Sequence, residues 1–110
     1  MAELVEEITV DDEPGNVVHA NFVLIHAASP EGAYEKALEK GRQGEIDYTN
    51  TDGRPVRIMF RGLRNLHVIH DRLEDGAEIL YEEARDLDEK TLREMIRSKE
   101  QLNMFRSRDA

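Results

Sequence analysis

Val17-Val18-His19-Ala20-Asn21-Phe22-Val23-Leu24-Ile25-His26-Ala27, running through Ala28 into Ser29-Pro30-Glu31, is the stretch on which the fold reading turns. Val18, Ala20, Phe22 and Leu24 recur at every second position, the period of a strand with one face toward a core. The alternate positions begin with His19 and Asn21 and become Val23 and Ile25, so something is expected to cover the far end of the second face. Ser29 then offers a hydroxyl to the free N–H groups of a first helical turn. Pro30 loses no bond at the first helical position, and Glu31 suits the positive end of the helix dipole. Ala33, Tyr34, Ala37, Leu38 and Gly41 line one side of the helix that follows, and their small size predicts close approach to a sheet. Gly41 or Gly44 ends it.

Upstream, Leu4, Ile8 and Val10 give a weaker strand pattern that ends at Asp11-Asp12-Glu13-Pro14-Gly15-Asn16, a dense cluster of turn-forming residues. Downstream, residues 45–61 read as a hairpin. A two-residue Asp52-Gly53 loop would set Tyr48 against Arg57 and Ile46 against Met59. A three-residue loop, Thr51-Asp52-Gly53, sets Tyr48 against Val56 and Ile46 against Ile58. A slip of one residue moves every side chain to the other face, so the pattern selects the second register, with Gly53 left-handed.

Val56, Ile58 and Phe60 then point inward, Arg57, Met59 and Arg61 outward, and Gly62 marks a bend or bulge. Leu66–His70 continues as strand, or forms one bent strand with residues from 56. Leu73-Glu74-Asp75-Gly76 turns the chain, and Ala77–Glu83 is read as a last strand. Asp88 caps a final helix, with Leu87 and Leu92 at staple positions, Glu89–Arg93 as an i,i+4 pair and an apolar stripe of Leu92, Met95 and Ile96. The expectation is an α+β domain over residues 1–105. An antiparallel sheet of five to six strands carries a helix after the second strand and a C-terminal helix packed on one face. Residues 106–110 are expected to fray.

Composition bounds the chemistry. At 110 residues the chain suits one domain, and with 39% hydrophobic residues but only six aromatics and no Trp its core rests on aliphatic side chains. Absence of Cys removes disulfides, thiolate zinc sites and cysteine nucleophiles. No apolar run approaches the roughly 20 residues that cross a bilayer. Met1–Val10 carries three Glu and no base, the opposite of a secretory signal, so cytoplasmic residence is expected. The net charge of −9 disfavours nucleic acid and anionic membranes at long range and favours solubility or a basic protein partner.

Catalytic and metal signatures are not found in the sequence. His67 and His70 stand three apart on a predicted strand and face opposite sides, and His19 and His26 also diverge. Ser29 is read as a cap, and Glu74-Asp75 and Glu82-Glu83 as solvated pairs. No catalytic residue, metal ligand or cofactor is assigned. An enzyme would need a site assembled from dispersed residues such as His19, His67, His70 and Glu82.

The strongest opposing signal is basic: Arg54, Arg57, Arg61 and Arg64 fall within eleven residues. Arg57, Arg61 and Arg64 define a candidate nucleic-acid or phosphate-ligand face, although cross-strand acids would neutralise it and no aromatic platform accompanies it. Met95, Met104 and Phe105 form a candidate partner interface, Leu92 and Ile96 being read as core.

Three segments carry a resemblance. Phe22-Val23-Leu24-Ile25-His26-Ala27 with Ser29-Pro30-Glu31-Gly32-Ala33-Tyr34 is the first. The second is Tyr48…Asp52-Gly53…Val56-Arg57…Phe60-Arg61-Gly62-Leu63-Arg64, and the third Leu73-Glu74-Asp75-Gly76-Ala77-Glu78. Over Phe22 to Tyr81 the chain resembles an uncharacterised bacterial family, domain of unknown function 4288. The resemblance implies a domain and transfers no activity, cofactor or catalytic residue. The resulting expectation is a small cytoplasmic protein-interaction module, regulatory or immunity-type, without catalysis. Its partner would be another protein or a second copy of itself, ahead of nucleic acid.

Overall fold

The computed structural model describes residues 1–106, which divide into two compact units, one of Met1–Leu80 and one from Tyr81 onward. Of the tail expected to fray, residues 107–110 lie outside the described residues.

The first unit is a four-stranded antiparallel sheet with one helix. Its elements are β1 (Ala2–Val10), β2 (Val17–Val23), α1 (Pro30–Gln43), β3 (Ile46–Thr49) and β4 (Pro55–Leu66), with sheet order β2-β1-β4-β3. β1, the weaker strand by sequence, is therefore an inner one, paired on both sides. Ala2 and Leu4 are buried at its start, and with Ala37 of α1 they make the centre of the core. Val23, Ile25, Phe60, Leu63 and Leu66 pack around them. Such a small core needs the helix close to the sheet, and α1 supplies that through Gly41. A Cβ built there would meet the Phe60 ring, so only glycine admits the ring.

The helix begins as its sequence predicts: Ser29 Oγ accepts from Gly32 N–H at 3.1 Å, with Pro30 at the first position. Gly44 ends it with ordinary right-handed backbone, its N–H turned back to Gly41 O. The hairpin also follows the predicted register, Tyr48 opposite Val56 and Ile46 opposite Ile58. Gly53 is left-handed at φ +77°, and Asn50 braces the loop by accepting from Asp52 and Arg54 N–H through its own Oδ1.

β4 departs from a simple two-residue period. Its register against β1 shifts twice, so that Arg61 and Arg64 stand as extra residues with no counterpart. Phe60, Leu63 and Leu66 thereby oppose Glu6, Leu4 and Ala2, and a three-residue step on β4 matches a two-residue step on β1. All three apolar side chains stay on the helix side because of these bulges. Gly62, at φ +134°, supplies the backbone the first one needs.

Several expectations are corrected. The sheet has four strands rather than five or six. The strand read as Val17–Ala27 stops at Val23, which pairs with Ala2; beyond it no ladder residue stands opposite. The core side of β2 is the odd one, because Val23 and Asn21 pair with Ala2 and Leu4. Val18, Phe22 and Leu24, read as core, are more than half exposed. Residues 67–83 form no strand. After His67 and Met1 exchange backbone bonds, the chain satisfies itself locally, through Ala77 N–H to Glu74 O and Glu78 N–H to Asp71 Oδ2. Alternation in Ala77–Glu83 has no ladder to join.

In the second unit, α2 (Glu89–Met95) is capped by Asp88, whose Oδ1 accepts from Thr91 N–H at 2.7 Å. The Thr91 backbone and hydroxyl hold the Asp88 carboxyl below its usual range. Glu89 and Arg93 pair at 3.1 Å as the i,i+4 spacing predicts. Short 3-10 turns follow at Lys99–Gln101 and Asn103–Phe105. This helix belongs to the second unit, and none of its residues is buried. Leu92 and Ile96, read as core, are exposed.

Candidate functional site: the sheet face opposite the helix

Directly paired residues of an antiparallel ladder share a face. With Ala2 and Leu4 under α1, the opposite face carries Glu3, Val5 and Glu7 of β1, Phe22, Ala20 and Val18 of β2, and Met59 and Arg57 of β4. Its outer strands contribute both apolar surface and charge.

Glu3 is the one acid buried here, at 6% exposure. Both of its carboxylate oxygens are taken: Oε1 accepts from Arg64 Nε at 2.6 Å, and Oε2 is hydrogen-bonded to His67 Nε2. The His67 bond, followed by the Arg64 bond, holds the Glu3 carboxyl below the usual carboxylate range against the opposing effect of desolvation. Arg64 also lies over the Phe22 ring, 5.7 Å from its centroid. The bulge at Arg64 permits this arrangement, since it leaves the arginine free of strand alternation.

The other arginines proposed from sequence are paired as well. Arg57 Nε donates to Asp47 Oδ1 at 3.0 Å, directly across the β3–β4 ladder. Arg61 lies 3.8 Å from Glu7, whose second oxygen accepts from Asn16 at 2.6 Å. Arg54 reaches Glu13 at 3.2 Å. Apart from Glu3, these pairs are partly to largely solvated, and each is worth about 0.2–1 kcal/mol. They nevertheless set a carboxylate beside each guanidinium that a phosphate ligand would use.

Between the charged pairs, Val18 and Phe22 are each 56% exposed. At one end of the unit an apolar cleft of about 560 Å³ opens between the start of α1 and the segment after β4, lined by Leu24, Ile25, Pro30, Leu66, His67 and Val68 among others. His67 thus touches both the cleft and Glu3. The cleft's hydroxyl, Ser29, is engaged in the helix cap. Among the described residues, no group of three or more His, Asp or Glu side chains converges as a metal site would require. His26 offers its backbone O to Lys36 Nζ at 2.6 Å, and His70 is exposed on the segment after β4. Met95, Met104 and Phe105 are exposed in the second unit, with Lys99 over the Phe105 ring at 5.2 Å.

Sequence reasoning missed Glu3. Its signal was its setting: one acid between Ala2 and Leu4-Val5, at the apolar end of a strand whose other acids come later.

A four-stranded antiparallel sheet covered on one face by a single helix defines a small α+β domain. The chain belongs to the family described as domain of unknown function (DUF4288), matched over residues 1–81. The match extends upstream of the segments that carried the resemblance, takes in β1 and Glu3, and ends where the first compact unit ends. No curated protein and no solved structure matches the chain. No helix among the described residues is long and apolar enough to cross a membrane.

Proposed function

We propose that this chain is a small protein-interaction module, regulatory or immunity-type and without catalysis of its own, that receives a protein partner on the sheet face opposite α1. The observation that carries the reading is the composition of that face. Val18 and Phe22 stand more than half exposed among arginines already paired with acids. Apolar surface rimmed by polar pairs is the ordinary make-up of a protein interface. The net charge of −9 favours a basic partner and speeds its approach.

The alternative, a phosphate or nucleic-acid ligand on Arg57, Arg61 and Arg64, would have to compete with three carboxylates and overcome the overall charge. Catalysis finds little support, because the one perturbed carboxylate in the sheet unit is committed to Arg64 and His67.

The test is a tagged pull-down from the native cytoplasm, nuclease-treated and washed at low and moderate salt, with wild type and Met59→Arg compared. Met59 lies on this face away from the β2 edge. One basic protein recovered near stoichiometry and lost with Met59→Arg is the expected result. Recovery that vanishes on nuclease treatment, or no partner at all, overturns the reading.

A further inference from the structure

β2 is an edge strand, and the ladder phase of β1 shows which way its backbone points. Met1 and His67 exchange both backbone bonds, and Asp11 N–H donates to Pro55 O, so the odd residues of β1 address β4. The even residues Ala2, Leu4, Glu6 and Ile8 therefore address β2, where their partners are Val23, Asn21, His19 and Val17. The N–H and C=O groups of Val18, Ala20 and Phe22 are left pointing away from the sheet. Among the described residues none of these groups has a backbone partner beyond the sheet.

Such edges are usually guarded by charge, proline, a bulge or shortness. β3, the opposite edge, is four residues long and carries Asp47. β2 is seven residues, unbulged against β1, without proline and without Asp, Glu, Lys or Arg.

We propose that a second copy of this chain pairs antiparallel along β2, about a two-fold axis at Ala20. The strand is self-complementary in that register. Ala20 meets Ala20 of the partner subunit, and Val18 meets Phe22 of the partner subunit. These are the outward-pointing residues, so each facing pair exchanges both backbone bonds. Val18 and Phe22 also share the open face, giving a β-branched–aromatic contact on each side of the axis. On the helix side Val17 faces Val23 and His19 faces Asn21 of the partner subunit. The result is one continuous eight-stranded sheet with an isologous interface.

The residue pattern of β2 selects this occupant. Two copies, each at −9, repel over most of their surfaces, and β2 is a seven-residue stretch where no acid meets an acid. Another β2 matches this neutral edge residue for residue, Val18 to Phe22 and Ala20 to Ala20. The inference goes beyond the binding-module reading but draws on the same exposed Val18 and Phe22; its test is separate, because pairing uses the strand's edge and leaves Met59 untouched.

Sedimentation velocity of the full chain over a wide concentration range tests it, beside Ala20→Pro and Val18→Lys, with each fold checked by circular dichroism. Ala20 N–H points away from β1, so proline there removes a donor from the dimer and none from the β1–β2 ladder. Val18→Lys leaves the backbone intact and sets a charge against Phe22 of the partner subunit; if Ala20→Pro does not fold, this variant decides. The expected result is a wild-type dimer, with self-association weakened at least about tenfold in the folded variants. Amide exchange at Val18, Ala20 and Phe22 should slow as the dimer forms. A wild type that stays monomeric throughout, or folded variants that dimerise as well as it does, would overturn the proposal.

Discussion

Arg64 has no counterpart on β1, yet its Nε lies 2.6 Å from Oε1 of Glu3 on that strand. The insertion of an extra residue and the burial of an acid are two sides of one arrangement. The bulge gives the guanidinium a position that strict alternation would deny it, and the guanidinium lets Glu3 stay charged at 6% exposure. His67, one residue past the end of β4, closes the second oxygen.

The Glu3 carboxyl is held below its usual range, so its folded state binds the proton less readily than the unfolded chain. Its contribution to stability is complete above the unfolded value, roughly pH 4.3, and is lost as pH falls through the lower folded value. Thermal melts between about pH 7 and pH 3 should show wild type losing stability on acidification. Glu3→Gln should melt lower at neutral pH and change less as pH falls. An equal slope for both proteins would show that Glu3 has no part in the acid transition.

Gly41→Ala brings a gain and a loss to the same residue. Alanine improves helix propensity by about 1 kcal/mol, but its Cβ would overlap the Phe60 ring. Overpacking of about 1–3 kcal/mol should outweigh that gain and leave a net loss of up to about 2 kcal/mol by urea denaturation. Phe60→Leu in the same chain should return part of that loss. Additive effects in the double variant would place the two residues out of contact.

Gly53→Ala forces a side chain onto φ +77° with nothing nearby to clash. Strain alone should cost about 1–2 kcal/mol, and no neighbouring substitution should rescue it. Chemical denaturation of Gly53→Ala beside Gly53→Asn checks this, since asparagine tolerates the left-handed region better.

Arg57 and Asp47 face each other at 3.0 Å with side chains 63% and 72% exposed. A double-mutant cycle with alanine at each should give a coupling of only about 0.2–1 kcal/mol, shrinking with added salt. A larger coupling that resists salt would mean the pair is more shielded than its exposure indicates.

Local chemistry was legible in the sequence wherever neighbours in the chain determine the outcome. Ser29-Pro30-Glu31 begins a helix, and the apolar pattern of Ile46, Tyr48, Val56 and Ile58 selects one hairpin register because only that one puts them on a common face. Long-range pairing was less legible. β2 has apolar residues on both faces, and only its pairing with Ala2 and Leu4 decides which set is core. Ala77–Glu83 alternates like a strand, but strand formation requires a ladder partner that alternation does not supply. At the candidate site, three arginines could be named, together with their tendency to meet acids. Glu3 could not, because its burial depends on an arginine sixty-one residues away.

The stepping of Phe60, Leu63 and Leu66 makes the two extra residues of β4 a feature of the charged face rather than of the core. An ordinary strand could lose two residues and keep its inward set inward. Here the removal of one residue at either arginine would restore plain alternation and keep all three apolar side chains inward, while taking away the bulge and its guanidinium. The core should therefore tolerate a strand shorter by one residue at Arg64, whereas the buried charge of Glu3 should not.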